Sequence, residues 1–154
     1  MPVFSESSNK RLATCHPDLV VVAYEAIKYV DYGIAVGARG KIDQNNAYKH
    51  GLSKTPWPQS KHNARIILPD DEKDEYPDLR ELSEAFDFFP SPTDWKILWP
   101  FAYVAGVIMT IGDQLYREGK IKHKLRSGGN WDMDYQIVKQ PFNDLGHIEL
   151  VTNK

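Results

Sequence analysis

The 154-residue chain has a single cysteine, Cys15, so no internal disulfide can form. A lone thiol suits synthesis in a reducing compartment. Long hydrophobic runs are also lacking. The longest uncharged stretch, Ile97–Gly112, has 16 residues and contains Pro100 and Gly106. A membrane-spanning helix needs about 20 apolar residues, so this run is expected to be a buried core helix and no stable membrane insertion is expected. The opening residues, MPVFSESSNKRLATCHPDL, have no apolar core of the kind a secretory signal carries. Charge of one sign is not in excess, with 21 acidic against 19 basic residues and a net charge of −2. That balance argues against a nucleic-acid partner. Neither internal repeats nor low-complexity tracts occur. What is present is a chain that is 42% hydrophobic and long enough for one domain with its own core.

Residues 1–14 read as a polar lead-in. His16-Pro17-Asp18 then opens a helix, with Pro17 at the first helical position and Asp18 at the positive end of the dipole. Leu19, Val22, Ala23, Ala26, Ile27 and Val30 form an apolar stripe at helical spacing. A short strand over Tyr32–Val36, a turn at 37–40 and a helix over Ile42–His50 follow, the helix ended by Gly51. Residues 52–63 are loop-like. The stretch 64–82 turns strongly acidic, with five acids among the six residues Asp70–Glu75, and reads as an excursion from the fold. A strand around Asp87 precedes a long helix over about Leu98–Arg117, whose buried face carries Val104, Ile108, Ile111 and Leu115. Ile121–Leu125 is expected as a strand, 127–129 as a turn and His147–Val151 as the last strand. The expected class is α+β, a single domain of helices packed on a small, mostly antiparallel sheet.

Asp87 poses the chemical question. In Ser83-Glu84-Ala85-Phe86-Asp87-Phe88-Phe89 it alternates with aromatic residues, so it faces away from Phe86 and Phe88. A buried polar group without a partner costs about 2–7 kcal/mol, and a basic side chain, backbone N–H groups or a metal ion would each satisfy it. Of five histidines, His147 opens an apolar strand after a turn, with Asp144 three residues earlier, and His62 lies in a loop. Two imidazoles and one carboxylate suit zinc with a fourth position left for water, although the spacing of His62, Asp87 and His147 does not by itself establish such a site.

Six stretches in order resemble the zinc peptidases that cut bacterial cell-wall peptides, a family of D,D-carboxypeptidases, dipeptidases and phage endolysins with L-alanyl-D-glutamate peptidase activity. Leu12–Leu19 resembles the opening helix of the endolysin branch. Gly37-Ala38-Arg39, with Gln44, Tyr48, Gly51 and Ser53, resembles the stretch carrying the family's active-site arginine. Ser60-Lys61-His62-Asn63 and Ser83–Pro90 resemble the first and second ligand motifs, Gly128-Gly129-Asn130-Trp131-Asp132 the Gly-Gly-x-Trp turn, and Asp144–Leu150 the closing acid-x-x-His motif. The resemblance implies one zinc ion on His62, Asp87 and His147, with Asp144 as general base and Arg39 steadying an oxyanion or holding a substrate carboxylate. Ser60, Gln44 and Trp131 are candidate substrate-binding residues. Glu149 lies on the same strand face as His147, either as a hydrogen-bond partner for that histidine or as a rival base.

The chain departs from the family in places. The interval from His62 to Asp87 is 25 residues, longer than the family's, which marks an inserted loop at about 64–82 and makes Asp70 a rival ligand. Gly146 stands where proline is frequent and Ile148 where an aromatic is frequent. The acidic insert is either a solvated loop or a flap over the cleft with a calcium site, since hard cations favour carboxylate oxygens.

The resemblance thus implies a monomeric endolysin peptidase acting on the peptidoglycan stem peptide. Such an enzyme accumulates in host cytoplasm without a signal peptide and then reaches the periplasm and cell wall. A D,D- or L,D-carboxypeptidase and a non-catalytic cell-wall-binding module of the same fold are the alternatives.

Overall fold

The computed structural model describes residues 1–136 and 144–152. In chain order the elements are helices α1 (Glu6–Leu12) and α2 (Pro17–Ala26), strand β1 (Tyr32–Val36), helices α3 (Lys41–Lys49) and α4 (Asp70–Lys73), strand β2 (Ala85–Pro90), helix α5 (Trp99–Arg117), and strands β3 (Leu125–Gly128) and β4 (Asp144–Leu150). The strands form one antiparallel sheet in the order β1-β2-β4-β3. This is the α+β architecture expected from the sequence.

Period-two alternation decides which layer each strand residue joins. Phe86 and Phe88 of β2, Ile148 and Leu150 of β4 and Ile34 of β1 are buried in the core. The apolar stripe of α2 (Leu19, Val22, Ala23, Ala26) and the inner face of α5 (Val104, Ile108, Leu115) belong to the same core. Burying one such side chain is worth ~1.5–3 kcal/mol. Asp87, His147 and Glu149 alternate with these core residues, and cross-strand register sets Asp87 opposite His147 and Arg126 opposite Glu149. One face of the sheet is therefore apolar and the other carries the polar groups of the site.

The polar lead-in contains a helix. Ser5 caps α1 by accepting from Ser8 N at 3.2 Å. Ser8 Oγ in turn accepts from Ile34 N at 3.0 Å, and Arg11 Nη1 donates to Ile34 O at 2.9 Å. These side chains satisfy backbone groups of β1, an edge strand, which explains a helix with little apolar patterning. Gly51, with φ +73°, ends α3 in the left-handed conformation.

The last third departs from the expected boundaries. Residues 121–124 are not a strand, because Asp18 Oδ2 accepts from the backbone N–H groups of Lys122 and His123. The strand runs instead through Ser127 and Gly128, where a turn was expected. A Cβ at Gly128 would lie 2.0 Å from the carbonyl oxygen of Asp144, so this close strand contact requires glycine. Strand β4 begins at Asp144, which puts His147 in mid-strand rather than at its opening.

The acidic stretch leaves and re-enters the fold at one neck, where Arg65 N donates to Arg80 O at 2.7 Å and Ile66 N to Glu81 O at 3.1 Å. Asp70 is exposed and pairs with Lys73 at 2.8 Å. Among the described residues this stretch contributes nothing to a metal-binding cluster, so neither the calcium site nor Asp70 as ligand is supported.

Candidate functional site

His62, Asp87 and His147 converge from a loop and two adjacent strands. Asp87 Oδ1 lies 3.2 Å from His62 Nε2 and 3.0 Å from His147 Nδ1, and the two nitrogens are 3.3 Å apart. The outer nitrogen of each ring is already engaged. His62 Nδ1 lies 2.8 Å from the Gly37 carbonyl, and His147 Nε2 lies 3.0 Å from Glu149 Oε1. Both acceptors lack protons, so the outer ring nitrogens are the donors. With the outer nitrogens donating, the inner nitrogens face each other and a carboxylate oxygen. Such a triangle is favourable when a proton or a metal cation lies between the three atoms. Its sides are close to the ~3.3 Å expected between ligand atoms of a tetrahedral ion with ~2 Å bonds. The residues present therefore fit a metal ion.

The electrostatics follow from the same contacts. Burial works against the charge on Asp87, but His62 and His147 outweigh it and hold the carboxyl far below its usual range. Burial opposes protonation of His147, yet the hydrogen bonds to Asp87 and Glu149 push it up to about 9. Glu149, buried beside His147 and Arg126, is held down at about 2. Its Oε2 lies 2.8 Å from Arg126 Nη2 and 3.4 Å from Lys61 Nζ. A carboxylate so anchored fixes the ring of His147, the expected partner role for Glu149.

Arg39 Nη2 lies 3.3 Å from Asp87 Oδ2, and its Nη1 donates to Gln44 Oε1 at 3.2 Å. Gln44 was expected to face substrate. It has no exposed surface, and its amide nitrogen donates to Ser53 Oγ and Thr55 O while its oxygen accepts from Arg39 and Asn63. It can only hold Arg39 in place. Ser60 and Trp131 do line the cleft, a cavity of about 480 Å³ that also holds Arg39, Asp144 and the convergent triad. The Trp131 ring stacks at a tilt of 34° on His147, with centroids 5.1 Å apart. Asp144 enters the same cavity, and burial together with the negative charge of Asp87 raises its pKa above the ordinary 3.8. Sequence reasoning missed Lys61, Arg80 and Arg126 in the cleft wall, because basic residues scattered over three segments carry no motif.

Comparison with known proteins bears on the family and the fold. The family model for phage L-alanyl-D-glutamate peptidases matches residues 2–151. The crystal structure of the Serratia marcescens L-Ala D-Glu endopeptidase ChiX superposes with a TM-score of 0.63 at 20% identity, covering 98% of this chain and 90% of that one. That likeness is one of fold. No curated protein sequence matches the chain. With the family model spanning nearly its whole length, the chain belongs to the phage L-alanyl-D-glutamate peptidase family.

Proposed function

We propose that the chain is a zinc-dependent peptidoglycan peptidase of the endolysin type, cleaving the L-alanyl-D-glutamate bond of the stem peptide. The observation that carries this reading is the triangle of His62, Asp87 and His147 ligand atoms beside Asp144 in one cleft. His62, Asp87 and His147 would hold the ion, and two imidazoles with one carboxylate favour zinc over hard cations. Zinc bound there would polarise the scissile carbonyl and make water acidic enough to attack at neutral pH.

The protein's own groups do the rest. Asp144 takes the proton from the attacking water and delivers it to the leaving amine. In the metal-free chain burial and the charge of Asp87 raise its pKa, which makes it a stronger base than an ordinary carboxylate. Arg39 offers a fixed guanidinium to the developing oxyanion or to the α-carboxylate of the D-glutamate next to the scissile bond. Gln44 and Asp87 hold that guanidinium from two sides, which limits its reorganisation during the reaction. Trp131 covers one side of His147 and shields the site from bulk water.

Mass spectrometry of digested peptidoglycan tests the reading. The expected products are stems that begin with D-glutamate and muramyl groups that end in L-alanine. Activity should vanish with chelator and return with zinc but not with calcium. Release of D-alanine instead would identify a carboxypeptidase, and binding without product would identify a non-catalytic module.

A further inference from the structure

Away from the cleft, a second group of metal-ligating side chains comes together from distant parts of the chain. His16, Asp18 and His123 each offer one ligand atom, and these atoms all lie within 4.8 Å of one another. The group shares no residue with the His62–Asp87–His147 triangle. Every arm is held. His16 caps α2 by accepting from Asp18 N at its Nδ1, 3.1 Å away, which leaves its Nε2 for another partner. Asp18 is buried, and its Oδ2 accepts from Lys122 N at 2.9 Å and His123 N at 3.1 Å and lies 2.8 Å from His123 Nδ1. Those bonds all fall on Oδ2, so Oδ1 remains as a further donor oxygen. The His16 and His123 rings meet edge to face with centroids 5.1 Å apart.

A helix cap and one Asp–His pair would explain His16 and His123 separately. Neither requires the second imidazole to be packed against the first over the same carboxylate. A divalent cation would give the three groups one common partner. Two imidazole nitrogens and one carboxylate oxygen, open to solvent through the 32% exposed His123 side chain, suit a zinc-class ion completed by water. Calcium and magnesium, which take oxygen ligands, do not suit it. The 4.8 Å bound is wider than the ~3.3 Å that ~2 Å tetrahedral bonds set between ligand atoms, so binding would draw the three groups closer together.

We infer that His16, Asp18 and His123 form a second, structural zinc-class site that fastens the start of α2 to the α5–β3 connection. Its position suits that task. His16 N also donates to Ser83 O at 2.8 Å, so the ion would tie together the start of α2, the approach to β2 and the approach to β3. An ion bound only by the folded chain raises stability by mass action.

Zinc chloride titration of the chelator-stripped full chain, read by calorimetry and elemental analysis, tests the site independently of the proposed activity. The native chain should take two equivalents, His123→Ala one and His62→Ala one. Zinc should raise the melting temperature of His62→Ala and leave that of the His62→Ala/His123→Ala double variant unchanged. His123→Gln, which keeps a side chain of similar reach, should match His123→Ala, and melting without zinc verifies that each variant folds. A single equivalent in the native chain, lost in His62→Ala and retained in His123→Ala, would overturn the second site and leave the cleft reading intact. The opposite pattern would remove the cleft metal and leave the second site standing.

Discussion

At Asp87, a carboxylate faces two imidazole nitrogens and a guanidinium within 3.3 Å. Its alternation with Phe86 and Phe88 predicts that it points away from the core, but nothing local names its partners. Asp144 carries the sharpest residue-scale prediction. Its folded pKa is raised by burial and by Asp87, so its contribution to stability is fully present below the unfolded value and is lost as pH rises through the folded value. In chelator-treated protein at neutral pH, Asp144→Asn should therefore raise the melting temperature. The same variant should lower turnover by about 10²–10⁴-fold while keeping zinc, as measured by elemental analysis. Glu149→Gln should weaken zinc binding by about 10–100-fold, because the amide is a poorer acceptor for the His147 ring N–H, and calorimetry reads the difference. Gln44 marks where residue-scale reading failed. A motif position identifies an important side chain, yet whether it touches substrate or holds Arg39 depends on burial, which requires the fold.

Among the elements, strongly periodic segments were legible and those held by polar contacts were not. Helices α2 and α5 and strands β1 and β2 follow from apolar spacing. Helix α1 escaped because its tie to the sheet is Ser8 and Arg11 bonding to Ile34, an interaction with no hydrophobic signature. Ser8→Ala should leave the Ile34 N–H unsatisfied and cost ~1–3 kcal/mol. Phe86→Ala, which opens the core beneath the site, should cost ~3–5 kcal/mol. Urea unfolding of both variants checks the order. Strand β3 was misplaced because Asp18, more than a hundred residues earlier, claims the backbone N–H groups that a strand over 121–125 would have used.

For the whole molecule, the instructive segment is 64–82. It separates two members of the triad in sequence, but its neck of paired hydrogen bonds brings the chain back to where it left. Replacing residues 67–79 with a two-glycine bridge should leave zinc bound in the cleft, and loss of that metal would mean that the segment positions His62. Among the described residues no helix is long and apolar enough to cross a membrane. By itself the sequence determined the fold class and the apolar layer, because hydrophobic periodicity is written in residue types and their order, while the members of the triad were named by the resemblance of short motifs to a known family. Only the tertiary structure decided between the two roles open to Glu149, brought Lys61 and Arg126 to it, buried Gln44 against Arg39 and carried His123 to His16 and Asp18. Most of those contacts join residues from separate segments, and such neighbours exist only once the sheet has set its register and the helices have packed against it.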